Sequence, residues 1–325
     1  MPETNRAGHD AMRYGFYLPT RGPLINRRDL TRFVRTGEVL GFHSVMVADH
    51  IAIPVQSDSV YPYTADGVFL SKGDALETLT TMSFIAGATE KLRIVSSVMI
   101  VPHRNPVFTA KALATIDVLS QGRVTVGVGV GWFREEFEAL QAADFDRRGA
   151  VTNEYLEIFK KLWTESPVAH EGEFYRFGPL RCEPLPVQKP HPPIWIGGHS
   201  RPALRRAARY GDGWHPVGAV AASPLPPEEM RQKLDELKRL TEAEGRDFSK
   251  ITVSFKAPLY EPDMKEVAGA RRRFTGSAEQ VAGDIREYGA LGISELIFDF
   301  RGDTIDASME GMDRFARELM PLTKG

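Results

Sequence analysis

The 325-residue chain contains a single cysteine, Cys182, which leaves no partner for an internal disulfide and too few thiols for a cysteine-based zinc site. It has no excess of charge of either sign. Its 41 basic and 43 acidic side chains are interspersed, so no global field draws it to nucleic acid or to an anionic membrane. No apolar run approaches the ~20 residues that a bilayer-spanning helix needs. Other absences narrow the chemistry. No His-x-x-x-His helix pattern occurs and carboxylates do not cluster with histidines, so no metal is expected. A G-x-S-x-G nucleophile elbow and a Walker-type Gly-Lys-Ser/Thr loop are also missing. Residues 1–12 are polar and lack the apolar stretch of a signal peptide, so they are expected to form a flexible tail on a cytoplasmic domain spanning 13–325.

What is present is a repeated alternation. Short, β-branched runs recur at Arg13–Pro19, Ser44–Asp49, Arg93–Met99, Val124–Gly129, Ile194–Gly197, Gly213–Val217, Ile251–Ala257 and Glu295–Phe300. Few charges lie inside them, as expected of parallel strands covered on both faces. Between them lie segments of helical period. Asn26 with Asp29 opens the first, Asp74 is the expected cap of the second, and Pro106 suits the first turn of the third. Further helices are expected around Tyr155–Leu162, Arg201–Tyr210, Pro227–Glu244, Ser277–Tyr288 and Asp306–Leu319. Eight alternations predict an α/β fold, a single (β/α)8 TIM barrel, in preference to a doubly wound sheet. The excess over ~250 residues falls in insertions after strands 2, 4, 6 and 7, at His50–Gly73, Thr164–Pro193, Gly218–Pro226 and Pro258–Gly276. A hairpin is expected near Glu173–Arg176.

In a barrel of this kind, functional residues gather at the C-terminal ends of strands. Asp49-His50 ends the second strand, where an imidazole can exchange a proton near neutral pH. Gly127, Gly129 and Gly131 form a bare stripe that either admits a flat ligand or accommodates bulky neighbours. Gly197-Gly198-His199-Ser200 precedes a helix start and offers backbone N–H groups to a phosphate, unless Ser200 is an ordinary cap. Tyr17, Trp132 and Phe133 lie near strand ends, where aromatic rings can stack on a planar molecule. Nothing in the composition singles out Ser97-Val98. The arginine-rich faces Arg205-Arg206-Arg209 and Arg271-Arg272-Arg273 read as solvated surface.

The motifs YGFYLP, VADH, SSVMIVPHRNP, LATIDVLSQGRVTVGVGVGWFREEFEA, PHPPIWIGGHSRPALRRAARYGDGWHP and ELIFDF follow one another from Arg13 to Phe300. In this order they resemble the bacterial luciferase-like family of flavin and deazaflavin oxidoreductases. The resemblance implies a barrel with the cofactor at its C-terminal mouth. It matches Ser97-Val98 to the family's non-prolyl cis peptide, which bulges behind the central ring of the cofactor. It places Asp49 and His50 beside the redox ring, with Asp49 orienting the histidine or bonding the ring. It sets the Gly127–Gly131 stripe along the ring's pocket and Gly197, Gly198 and Ser200 on the phosphate. The blocks around Gly127 and Gly197 are most similar to the branch that uses the deazaflavin coenzyme F(420), the alternative being FMN with molecular oxygen. Sugar-phosphate dehydrogenases of the deazaflavin branch carry an acidic residue where this chain has Trp132, so an apolar or aromatic small substrate is expected. Family members commonly dimerise through helices two and three, where Gly87, Ala88, Ala110, Ala112 and Ala114 permit close approach. Two further readings stand beside this one: a non-redox barrel lyase or hydrolase, for which Lys256 is the one strand-end lysine, and a flavin-storing relative without catalysis.

Overall fold

The computed structural model describes residues 12–22, 25–69, 74–220, 222–262 and 271–323. The expected tail therefore lies, apart from Met12, outside the described residues, as do parts of the insertions at 50–73 and 258–276. Strands β1 (Arg13–Tyr17), β2 (Ser44–Val47), β3 (Arg93–Ser96), β4 (Met99–Ile100) and β5 (Val124–Gly129) are followed by a separate antiparallel hairpin, β6 (Val168–Glu171) and β7 (Arg176–Leu180). Strands β8 (Ile194–Gly197), β9 (Gly213–His215), β10 (Thr252–Leu259) and β11 (Glu295–Asp299) complete the sheet. Its order is β3-β2-β1-β11-β10-β9-β8-β5-β4, and parallel pairing of Ile94 with Val124 closes it. Because β3 and β4 are two pieces of the expected third strand, the cylinder has eight parallel staves. It is a (β/α)8 barrel. The break between the pieces is the Ser97–Val98 peptide bond, which is cis.

The helices are α1 (Arg27–Val39), α2 (Thr78–Ala88), α3 (Pro106–Leu119), α4 (Arg134–Ala139), α5 (Arg148–Thr164), α6 (Arg201–Tyr210), α7 (Pro227–Ala243), α8 (Ala278–Gly289) and α9 (Ile305–Arg314). Asn26 caps α1 by accepting from the Asp29 N–H at 2.9 Å, and Ser277 with Gln280 forms a reciprocal box on α8. The second helix starts later than Asp74 suggests. Glu77 is its cap, accepting from the Thr80 N–H at 2.7 Å, while Asp74 accepts from the Gly22 N–H at 2.8 Å and ties down the loop after β1. The sequence pattern missed α4, because its six residues are too few to display a helical period. No helix among the described residues is long and apolar enough to cross a membrane.

Alternation along the strands sends one set of side chains outward, into the main core beneath the helices, and the other into the barrel. The interior is layered. Near the N-terminal ends, Ser44 donates to Glu295, and Arg93 Nη1 donates to Thr125 Oγ1 at 2.7 Å. Above them, Tyr17, Met46, Val95, Trp195 and Ile297 form a dry plug. Each of these is worth about 1.5–3 kcal/mol relative to exposure. The plug makes the barrel a solid support, so any ligand must bind at the mouth above it.

Candidate active site

Above the plug the interior turns polar. Tyr17 Oη and Ser97 Oγ share a short hydrogen bond, and Ser97 Oγ lies 2.8 Å from His215 Nε2. His215 Nδ1 pairs with Ser254 Oγ. Burial, reinforced by the nearby Lys256, pushes the His215 pKa down to about 3, so this imidazole stays neutral and serves the network as one donor and one acceptor. The network braces the cis Ser97–Val98 bulge from below.

The bulge lies between two connected cavities. An inner one, about 120 Å³, is lined by Tyr17, His50, Ser97, His215 and Lys256 among others. An outer one, about 430 Å³, extends over Gly129, Gly131, Ser200, Arg148 and Arg206. Val98, Ile100, Trp132, Gly197 and Gly198 border both. A Cβ on Gly129 would stand 2.6 Å from Val98 Cγ2, and one on Gly127 would meet the Ser96 carbonyl at 1.9 Å. These glycines therefore make room for the bulge, and Gly127 lines neither cavity. Gly127 thus follows the neighbour-accommodating reading of the stripe, while Gly129 and Gly131 also border the outer cavity. Phe133 also lies off the cavities. It is buried and stacks on Trp132 with centroids 4.6 Å apart, so it acts on the pocket through that indole.

His50 is held by a residue that the sequence reading did not select. Its Nδ1 lies 2.8 Å from Glu136 Oε2, and Glu136 also accepts from the N–H groups of Ile51 and Ala52 at 2.7 and 3.1 Å. Burial opposes ionisation of Glu136, but these bonds and the nearby His50 outweigh it and hold its pKa below the ordinary value. A carboxylate only accepts, so Nδ1 carries the proton and Nε2 is the basic nitrogen. Nε2 has no hydrogen bond among the described residues. The neighbouring Glu135 accepts from the Asp58 N–H at 2.7 Å and from Ser59 Oγ at 2.6 Å. The first turn of α4 thus fixes the loop after β2 and the histidine together. The visible signal was an acidic pair directly after a glycine-rich strand, where a helix start favours negative charge.

Asp49 does not orient His50. Its oxygens accept from Arg104 at 2.7 and 2.8 Å, from Thr78 Oγ1 at 2.7 Å and from the Ile100 N–H at 2.7 Å. The buried guanidinium requires a counterion, and Asp49 supplies it with two bonds, joined by Glu77 at 2.9 Å. The loop after β2 then roofs the inner cavity with Tyr61 and Phe69, whose centroids lie 5.1 and 5.3 Å from Trp132, and with Tyr63, which packs on Tyr61 at 5.6 Å.

In the outer cavity Ser200 stands at the N-terminus of α6 but makes no side-chain cap bond. Arg206 is buried, contrary to the reading of its helix face as solvated surface. It lies on the apolar stripe with Ala203, Ala207 and Tyr210, a spacing that could have revealed it. Its Nε donates to Asn153 Oδ1 at 2.7 Å and its Nη2 to the Gly149 carbonyl at 3.0 Å. Arg148 bonds the Gly131 and Phe145 carbonyls at 3.1 and 2.8 Å. Among the described residues neither arginine forms an ion pair with a carboxylate. Arg271 and Arg273 are also not free surface charges, since both bind Asp284. No group of three or more metal-type ligands occurs among the described residues.

Residues 12–291 match the family model described as luciferase-like monooxygenase. An uncharacterised protein of Mycobacterium tuberculosis is 34% identical over 240 residues, 73% of this chain and 78% of that protein. The FMNH(2)-dependent dimethylsulfone monooxygenase of Pseudomonas putida is 32% identical over 196 residues, 60% of this chain and 51% of that enzyme. Among solved structures, an F(420)-dependent secondary alcohol dehydrogenase in complex with an F(420)-acetone adduct superposes with a TM-score of 0.76 at 18% identity, covering 97% of this chain and 100% of that one. Barrel, mouth and sequence agree: the chain belongs to the luciferase-like monooxygenase family of oxidoreductases.

Proposed function

We propose that this protein transfers hydride between the deazaflavin coenzyme F(420) and a small organic substrate with an apolar or aromatic body. The observation that carries this reading is the His50–Glu136 pair, which presents a basic nitrogen to the cavity that adjoins the cis bulge. The outer cavity fits a phosphorylated cofactor: Arg148 and Arg206 lack carboxylate partners, and α6 opens on Gly198 and Ser200 beside them. When bound, the deazaflavin supplies the hydride donor or acceptor. His50 Nε2 holds or releases the proton that must move with the substrate oxygen, and Glu136 fixes its orientation. Val98 and Ile100 support the ring, with Tyr17, Ser97 and His215 bracing the bulge. Tyr61, Tyr63, Phe69 and Trp132 exclude water from the inner cavity. Arg206→Met should weaken binding of the phosphorylated cofactor about tenfold, read by quenching of ring fluorescence. Unchanged affinity would remove Arg206 from the site.

A second reading, an FMN-dependent monooxygenase using oxygen and externally supplied reduced flavin, is favoured by the 32% identity to the Pseudomonas putida enzyme. The same residues would serve it, with FMN as the phosphorylated ligand.

We further infer a cytoplasmic homodimer formed through α2 and α3. Phe108 and Leu119 on α3 are 67% and 62% exposed, an unusual burden for side chains facing water. The protein should elute as a dimer on a sizing column with light-scattering detection. Phe108→Glu with Leu119→Glu should yield a folded monomer, and an unchanged elution would place the interface elsewhere.

A further inference from the structure

Lys256 lines the inner cavity and stands near His215, but has no role in the function proposed above. It lies near the C-terminal end of β10 and is half-buried. Its ammonium has neither a hydrogen bond nor an ion pair among the described residues. Among the described residues its close contact is the π face of Tyr17, with Nζ 4.1 Å from the ring centroid. Arg21 lines the same cavity, sits over Phe69 at 5.2 Å and likewise has no carboxylate partner among the described residues. The carboxylate at the end of the neighbouring strand, Asp299, is bound to Arg301 at 2.6 Å. The carboxylate that lines this cavity among the described residues, Asp49, is bound to Arg104.

Two cations thus face a small cavity whose lining carboxylate, Asp49, is already engaged. Withdrawing a cation from water is unfavourable unless an anion or a donor-accepting group meets it. An aromatic face compensates only partly. Burial draws the Lys256 pKa below its ordinary value, against the opposing pull of Tyr61 and Asp299 and with the aid of Arg21 and Arg301. Aromatic rings of Tyr17, Tyr61, Tyr63, Phe69 and Trp132 make up much of the remaining lining. We propose that the inner cavity selects substrates that carry a carboxylate on an aromatic or apolar body, the carboxylate bound by Lys256 and Arg21 and the body enclosed by Tyr61, Tyr63, Phe69 and Trp132. Lys256 is then a specificity-determining residue, set apart from the proton-exchanging His50. Its catalytic meaning rests on the oxidoreductase reading, but the binding itself does not.

The test uses benzoate and its neutral isostere benzamide as probes. Each is titrated calorimetrically into the purified protein, alone and saturated with whichever of F(420) or FMN it binds. Benzoate should bind at least about tenfold more tightly than benzamide. Lys256→Gln should erase that preference, and Lys256→Arg should retain it and serve as the folding control, with melting curves for both. Equal binding of the two probes in wild type would overturn the proposal. So would a preference that survives Lys256→Gln, since the anion would then sit elsewhere, for example at Arg148 and Arg206. A Lys256→Gln variant that weakens cofactor binding and leaves the benzoate preference intact would assign the ammonium to the cofactor and also overturn it. Failure of both cofactors to bind would refute the oxidoreductase reading and leave the benzoate result standing on the protein alone.

Discussion

His50→Ala should lower turnover by roughly 10²–10⁴, the usual contribution of a positioned acid–base group, with cofactor binding largely retained. The geometry separates the two effects. His50 lines the inner cavity, whereas Arg148, Arg206 and Ser200 line the outer one. Glu136 fixes which ring nitrogen is basic, because its ionised carboxylate, 2.8 Å away, takes the Nδ1 proton as a hydrogen bond. Glu136→Gln keeps an acceptor at that position and removes the charge. It should therefore cost less than His50→Ala and should shift the pH–rate profile, which a merely structural role would leave in place. Steady-state kinetics with parallel cofactor titration makes the check. Turnover unchanged in His50→Ala would end the assignment of proton exchange to this residue.

Asp49→Ala should destabilise the fold by ~3 kcal/mol, the low end of the cost of breaking a buried ion pair, because Glu77 still holds Arg104 at 2.9 Å. The Arg104 side chain is 8% exposed and the Asp49 side chain 0%, so water poorly replaces the two bonds lost, and only the partly exposed Glu77 remains as a counterion. The same substitution frees the Ile100 N–H and so loosens the end of β2 from β4, while Thr78 Oγ1 keeps its bond to the Ala48 carbonyl at 2.9 Å. Burial by itself would raise the Asp49 pKa, but the Arg104 charge and the bonds from Arg104, Thr78 and Ile100 bring it below its ordinary 3.8. A depressed folded-state pKa contributes stability that is fully present above the unfolded value near 4 and is lost as pH falls through the lower folded value. Wild type and Asp49→Ala should therefore differ most near neutral pH and converge in acid. Denaturant unfolding at several pH values measures this, and a constant difference down to acid pH would show that the ion pair is not its source.

The barrel was legible because its strands are short β-branched runs and its helices carry caps and apolar stripes, both local signals. Ser44–Asp49 and Glu295–Phe300 fall within two residues of the strands observed. Much of the site was not legible, because its bonds join residues far apart in sequence. Asp49 and Arg104 are 55 residues apart, His50 and Glu136 86, and Ser97 and His215 118. No local pattern predicts such pairs, which exist only once the barrel brings strand ends together. The cis bond at Ser97–Val98 left no mark in composition and entered only through resemblance to a family. Arg206 was misjudged because arginine is commonly exposed, although its place among alanines on α6 held the contrary signal. Lys256 was noticed as a strand-end lysine, but its lack of a partner is a property of the folded chain.

The central claim is that this mouth is built around a deazaflavin and moves hydride without oxygen. Titration of the purified protein with F(420) and with FMN, followed by ring fluorescence with an oxygen electrode in parallel, tests it most directly. The account predicts saturable quenching of F(420) and no oxygen uptake with the reduced coenzyme. Tight binding of FMN, oxygen consumption with reduced FMN and no affinity for F(420) would contradict it.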